Sequence, residues 1–161
     1  MKRFFTCSLV IAMMGICTGG VSVAKQPQKA APNFRLKDLN QGQVELSSFK
    51  GKKPVVLFFW TTWCPYCLRE LKHMNSLAEQ LNKQGIELLA INSGESAGKV
   101  ARLVKSYGIT YPVYLDEDAK VTDRYGIYGV PTFFVVDKKG FIRDAGNSFP
   151  HEAAQAIASE K

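Results

Sequence analysis

Two cysteines separated by two residues, Cys64 and Cys67, are the side chains in this sequence best suited to chemistry. A disulfide between them closes too short a loop to stabilise a fold, because a structural disulfide acts mainly by closing a long loop of the unfolded chain. Structural zinc takes four cysteine or histidine ligands, and the two histidines, His73 and His151, have no ligand spacing to the pair. We therefore expect no metal site and predict a redox-active dithiol.

A buried strand and an amphipathic helix must position this pair. Residues 55–60 (VVLFFW) are apolar at every position, as in a central strand covered on both faces. Beyond Cys64, apolar residues recur every three or four positions and predict a helix that ends near Gly85. The residues that carry this period are Leu68, Leu71, Met74, Leu77, Ala78 and Leu81. Because proline is tolerated at the first helical position, Pro65 predicts that the helix begins directly after Cys64.

This placement predicts different roles for the two thiols. The free N–H groups and the positive dipole end of the helix face the Cys64 sulfur and favour its thiolate, which is the attacking species. Cys67 lies one turn further along and faces inward, so it can resolve a mixed disulfide that Cys64 forms with a substrate.

The remaining patterns alternate between strands and helices. Period-two alternation on either side of Asn40-Gln41-Gly42 predicts a hairpin within residues 34–46. Further strands are predicted at residues 86–91, 112–115, 132–136 and 141–145, and further helices at 96–107, at 119–125 and from His151 onward, while Asn92, Ser93 and Gly94 are predicted to form a turn. This order is typical of an α/β sandwich with helices on both faces of one sheet.

The first 24 residues have the anatomy of an export signal. Lys2 and Arg3 precede an uncharged run, and Ser22-Val23-Ala24 offers small residues for cleavage after Ala24. Two alternatives remain open: residues 4–24 are long enough to anchor the chain in a membrane, or Cys17 carries a lipid. We expect a periplasmic or other extracytoplasmic protein, soluble after cleavage or else anchored by residues 4–24.

The rest of the chain predicts one domain without a nucleic-acid surface. Residues 25–33 (KQPQKAAPN) have a linker composition and residues 34–161 form the domain. Removing the first 24 of 161 residues leaves 137, the size of a single core. Lys2 and Arg3 are removed with them, so 19 basic and 14 acidic residues remain, a net charge of +5. The lysines are scattered near turns and form no aromatic-interleaved basic stripe, so we expect no nucleic-acid partner.

The motif VVLFFWTTWCPYCLREL, followed downstream by GVPTFFVVDKKGFI, resembles the thioredoxin-like family of TlpA and ResA type. The resemblance extends from Pro32 to Gly146. It implies a thioredoxin-like fold with a mixed central sheet flanked by helices and an extra N-terminal β-hairpin. It also implies an exported enzyme that reduces protein disulfides, often those of apocytochrome c, without a cofactor. A membrane thiol-relay protein is then the expected electron donor.

The resemblance also assigns site residues around the cysteines. Val130-Pro131 corresponds to the family's cis-proline step, where backbone groups pair with an incoming peptide. Trp63, Pro65 and Tyr66 complete the expected substrate-binding surface.

Two positions in the sequence, Phe58 and Glu70, bear on the proton acceptor for Cys67. Cytoplasmic thioredoxins carry a buried acid six residues before the first cysteine, where this chain has Phe58. The TlpA and ResA group shares Glu70, three residues after Cys67, which is the candidate acceptor. The alternative is that Glu70 is a first-turn acid favoured by the helix dipole.

Two other functions remain open from the sequence. A peroxiredoxin-like thiol peroxidase needs a threonine three residues before its cysteine, and Thr61 is there, although Leu57 stands where a proline is expected. A non-catalytic binding or chaperone module is the other alternative, since a fold alone does not determine a function. The direction of the redox reaction also stays open, because dithiols on this backbone differ widely in potential.

Overall fold

The computed structural model describes residues 28–159. The predicted export signal, anchor and lipidation site fall outside these residues. Within the described part, no helix has the length and apolar character that crossing a membrane requires.

A single seven-stranded mixed sheet forms the centre of the fold, with strand order β2-β1-β5-β4-β3-β6-β7. Its strands are β1 (Arg35–Asp38), β2 (Gln43–Glu45), β3 (Val55–Trp60), β4 (Glu87–Ser93), β5 (Val113–Asp116), β6 (Thr132–Val136) and β7 (Ile142–Gly146). The helices are α1 (Pro65–Lys83), α2 (Ala97–Tyr107), α3 (Lys120–Arg124) and α4 (His151–Ser159), and a 3-10 turn covers Leu46–Phe49. The expected mixed sheet, flanking helices and N-terminal hairpin are confirmed.

Strand β3 organises the two cores because it is buried along its whole length. It pairs in parallel with β4 and antiparallel with β6. Its alternate side chains point to opposite faces, as strand geometry requires. Val56, Phe58 and Trp60 pack in the core shared with α1, α2 and α4, which also contains both cysteines. The other face packs against α3 and the N-terminal hairpin.

Helix α1 begins and ends where the sequence predicts. Pro65 is its first residue, and the chain turns away through Gly85, whose φ of +76° is accessible to glycine. The buried residues of α1 lie on one face, so the helix packs on β3 and β4 and fixes the direction of its N-terminus.

The prediction that Asn92 and Ser93 form a turn is wrong. Both residues are buried and continue β4, where they pair with Leu115 and Asp116 of β5. Ser93 accepts a hydrogen bond from the distant Thr122, and Asn92 Nδ2 donates to the nearby Glu95, while the buried Asn92 Oδ1 has no hydrogen-bond partner among the described residues. Tertiary partners therefore override the local turn preference.

The segment expected to be a linker is bonded to the sheet from Lys29 onward. The Ile142 N–H donates to the Lys29 carbonyl and the Ala31 N–H to the Gly140 carbonyl, both at 2.9 Å. Ala30 forms an isolated antiparallel bridge with Phe141. Backbone pairing thus starts five residues before Phe34, where the alternating pattern begins.

Candidate active site

Cys64 occupies the N-cap of α1, at the point where β3 gives way to the helix. Its backbone is extended (φ −90°, ψ 109°), and its Sγ accepts a hydrogen bond from the Cys67 N–H at 3.2 Å. This bond satisfies one of the amides that every helix N-terminus leaves free. A sulfur in this place can carry negative charge at low cost, because the amide and the helix dipole both stabilise it.

The two cysteines form a disulfide with their Cα atoms 5.2 Å apart. Cys67 is completely buried, whereas Cys64 keeps 3% of its surface exposed. The sulfur at the N-cap is therefore the one nearer to solvent.

The peptide bond between Val130 and Pro131 is cis, as the resemblance implied. The Val130 carbonyl oxygen lies 3.4 Å from Cys64 Sγ, so this backbone step faces the attacking position. Pro131 is buried and Val130 half-buried. Backbone groups of this cis step thus lie next to the Cys64 sulfur.

Asn147 holds this loop from the end of β7. Its Nδ2 donates to the Pro131 carbonyl at 2.8 Å and to Thr132 Oγ1 at 3.3 Å. The Thr132 hydroxyl donates in turn to the Gly129 carbonyl at 2.6 Å. Asn147 was not predictable from the sequence, because no motif links it to the proline.

Exposed aromatic side chains surround the disulfide. Trp63 and Tyr66 are 68% and 64% exposed, and Tyr128 is fully exposed two residues before Val130. The Arg69 guanidinium lies over the Tyr66 ring at 4.7 Å. Tyr128 also lines an open groove of about 340 Å³ next to the proline loop. Aromatic rings that stay in solvent are typical of contact surfaces for other molecules.

Apolar rings occupy the core beneath the pair. Phe58 is completely buried and stacks on Phe133. Glu70 is half-buried on α1, one turn after Cys67, and makes no hydrogen bond or ion pair among the described contacts. The Thr61 hydroxyl is buried without a hydrogen-bond partner in this structure, so it is not bonded to the Cys64 sulfur.

Sequence reasoning missed a buried acid, Glu95, which contacts the active-site loop. Its carboxylate accepts hydrogen bonds from the Thr62 N–H and Thr62 Oγ1, both at 2.6 Å, and from Asn92 Nδ2 at 2.8 Å. Lys99 pairs with it at 2.6 Å. Burial raises the pKa of Glu95, but its bonds with Lys99, Thr62 and Asn92 outweigh burial and lower the pKa from 4.5. No sequence spacing connects positions 62 and 95, so only the fold reveals this contact.

Comparisons with known proteins agree with this geometry. The AhpC/TSA family matches residues 27–145. Thiol-disulfide oxidoreductase ResA of Bacillus subtilis (strain 168) is 44% identical over 110 residues, which cover 68% of this chain but only 61% of that protein. ResA of Halalkalibacterium halodurans is 35% identical over 150 residues, 88% of this chain and 84% of that protein. The crystal structure of a thiol:disulfide interchange protein of the thioredoxin family from Chlorobium tepidum TLS superposes with a TM-score of 0.71 at 25% identity, over 84% of this chain and all of that one.

The matched region includes β1 to β6 and the cysteine pair, so the similarity covers the site as well as the sheet. The match to the Bacillus subtilis relative spans less than two thirds of that protein's length, whereas the match to the Halalkalibacterium relative spans most of it. The chain therefore belongs to the AhpC/TSA family, among the thioredoxin-like proteins of ResA type.

Proposed function

We propose that this chain is an exported thiol-disulfide oxidoreductase that reduces disulfides of envelope proteins through Cys64 and Cys67. The hydrogen bond from the Cys67 N–H to Cys64 Sγ carries the proposal, since it stabilises negative charge on the sulfur nearer to solvent. The exposed aromatic side chains and the open backbone beside that sulfur suit a polypeptide substrate. The names of the ResA relatives support the same activity.

The reaction is a pair of thiol-disulfide exchanges. The Cys64 thiolate attacks one sulfur of the substrate disulfide, forms a mixed disulfide and releases the other substrate sulfur, which takes up a proton. Cys67 then loses its proton and attacks the Cys64 sulfur, which forms the Cys64–Cys67 disulfide and releases the second substrate thiol. The substrate gains two electrons and two protons: both electrons and the Cys67 proton come from the enzyme, and the other proton comes from solvent, because Cys64 starts as the thiolate.

Glu70 is the proposed acceptor of the Cys67 proton. It lies one turn further along α1, is partly shielded from solvent, and forms no ion pair within residues 28–159 that would commit its carboxylate elsewhere. A fully buried thiol needs such an acceptor because burial disfavours its charged form. Water is the alternative acceptor.

Export, domain limits and partners belong to the same proposal. We infer cleavage after Ala24, with residues 34–161 as the thioredoxin-like domain and a membrane thiol-relay protein as the electron donor. Apocytochrome c is the specific substrate to test first. Trp63, Pro65, Tyr66, Val130 and Pro131 are the residues proposed to contact it.

Insulin reduction in the presence of dithiothreitol tests the activity. Wild-type protein should accelerate the precipitation of insulin chains, and Cys64→Ser should abolish the acceleration. Consumption of hydrogen peroxide without insulin reduction would instead favour a thiol peroxidase. The lack of a hydrogen bond from Thr61 to Cys64 argues against that outcome.

A further inference from the structure

We propose that Glu95 is a positioning residue of the redox centre: its carboxylate holds the Cys64 loop through Thr62, and its buried negative charge makes the Cys64–Cys67 pair a stronger reductant. This inference rests on the proposed oxidoreductase function, which it deepens by assigning a residue that controls the equilibrium of the same pair.

The anchoring contact lies at the turn between β3 and α1. Thr62 belongs to neither element, so its N–H has no partner within a strand or helix. Both Glu95 oxygens bind Thr62, one at the amide and one at the hydroxyl, each at 2.6 Å. Cys64 follows only two residues later, so Glu95 limits the movement of the segment that presents its sulfur.

The acceptor that binds Thr62 is charged, although a neutral one would suffice. A neutral amide or hydroxyl would satisfy the Thr62 N–H, and it would avoid the cost of burying a carboxylate. The Glu95 side chain is nevertheless 6% exposed, and its counter-ion Lys99 is 50% exposed. The negative charge is therefore buried at the loop, and the Lys99 ammonium that pairs with it at 2.6 Å belongs to the more exposed side chain of the two, which water screens more strongly.

The difference in burial between Glu95 and Lys99 gives the direction in which the pair of charges shifts the disulfide–dithiol equilibrium. A fixed negative charge near Cys64 disfavours the thiolate formed when the disulfide accepts two electrons, so it favours the disulfide over the reduced pair. Other charges on neighbouring elements include Arg69 and Glu70 of α1 and Glu117, whose carboxylate accepts the Ala97 N–H at the start of α2. None of these three changes in the variants that remove Glu95 or Lys99.

Two variants with opposite expected signs test the proposal. Each protein is equilibrated with reduced and oxidised glutathione at pH 7, and the fraction of Cys64–Cys67 disulfide is measured. Glu95→Gln keeps an acceptor for Thr62 but removes the charge, so the equilibrium should move toward the dithiol by roughly three- to tenfold, where tenfold corresponds to about 30 mV. Lys99→Met leaves Glu95 unopposed and should move the equilibrium toward the disulfide, by about twofold because Lys99 is screened.

Glu117→Gln is the matched control, because it also replaces a carboxylate that binds a backbone N–H, but one that does not contact the Cys64 loop. It should leave the equilibrium unchanged. A purely structural role for Glu95 would lower the urea midpoint of Glu95→Gln without moving the equilibrium, and that result would overturn the proposal. Shifts of the same sign in Glu95→Gln and Lys99→Met would overturn it too. If Glu95→Gln does not fold, the direction in which the surface variant Lys99→Met shifts the disulfide–dithiol equilibrium still tests the proposal.

A separate result would contradict the proposed function without contradicting the role of Glu95. Wild-type protein that equilibrates with glutathione but leaves insulin intact would contradict the reductase activity toward proteins. The opposite shifts of the two variants would still establish that Glu95 and Lys99 set the equilibrium of the pair.

Discussion

The ring of Phe58 lies parallel to the ring of Phe133, with centroids 4.6 Å apart and an interplanar angle of 5°. Both rings are completely buried in the core that contains the cysteines. Phe58 stands at the position, six residues before Cys64, where cytoplasmic thioredoxins carry a buried acid.

Truncation of this stack should be costly for stability. Phe58→Ala is expected to lower the free energy of unfolding by about 3 to 5 kcal/mol, because a large buried ring is replaced by a cavity. Phe58→Leu should cost less, since it keeps much of the volume. Urea denaturation followed by circular dichroism measures both, and equal losses in the two variants would contradict a role for ring packing.

The two thiols should be distinguishable by trapping. Reduced Cys67→Ser treated with glutathione disulfide should keep one glutathione bound at Cys64, since no second thiol can release it. Wild type should form its internal disulfide and retain none. Cys64→Ser should react far more slowly, because Cys67 is completely buried. Intact-mass spectrometry reads all three, and faster labelling of Cys67 than of Cys64 would reverse the assigned roles.

Glu70→Gln should slow release of the mixed disulfide more than its formation. The substitution keeps the shape and helix preference of the residue but removes the proposed acceptor of the Cys67 proton. We expect the largest effect at acid and neutral pH, measured by stopped-flow mixing. Glu79→Gln is the matched control, because Glu79 lies on the same helix in an exposed ion pair with Lys83. Equal release rates in wild type and Glu70→Gln at every pH would leave water as the acceptor.

Asn147→Ala should weaken the binding of protein substrates without disturbing the cysteines. The variant frees the Pro131 carbonyl and the Thr132 hydroxyl, so the loop beside Cys64 loses its support from β7. We expect a KM for insulin raised several-fold and a loss of about 1 kcal/mol of stability. Asn40→Ala, in the exposed turn of the N-terminal hairpin, is the control. An unchanged KM would show that Val130 and Pro131 are held by other contacts.

The N-terminal hairpin should respond to acid through one carboxyl group. The hydrogen bond from Arg35 lowers the pKa of Glu45 from 4.5 to about 2, with further bonds from Ser47 and Asn33. Because the folded pKa is depressed, the stabilisation is complete above about 4.5 and is lost as the pH falls toward 2. Carboxyl NMR titration should place the Glu45 midpoint near 2. The midpoint should rise toward 4.5 in Arg35→Met, and an ordinary midpoint in the wild type would refute the contact.

The elements governed by local rules were predictable from the sequence. The uniformly apolar run predicted β3 at its observed limits, and Pro65 predicted the first residue of α1, because strand burial and helix initiation depend on neighbouring residues. The cis peptide before Pro131 came from the family resemblance and not from any local rule.

Features that depend on distant partners were not predictable. Asn92 favours turns in isolation, yet β5 and Glu95 provide it with strand and side-chain partners. Glu95 itself looked like one acid among 14, since its contact with Thr62 exists only once β3 and β4 lie side by side. The backbone bonds of Lys29 and Ala31 are equally non-local, because a polar segment with two prolines carries no strand period.

The bonds of Lys29 and Ala31 also fix where residues 29–31 lie relative to the disulfide. They attach the chain to the turn after β6, next to Val55 at the start of β3, whereas Cys64 follows the opposite end of that strand. Six strand residues separate the two ends by roughly 20 Å. Lys29 and Ala31 are therefore held at the end of β3 that lies away from the Cys64–Cys67 disulfide.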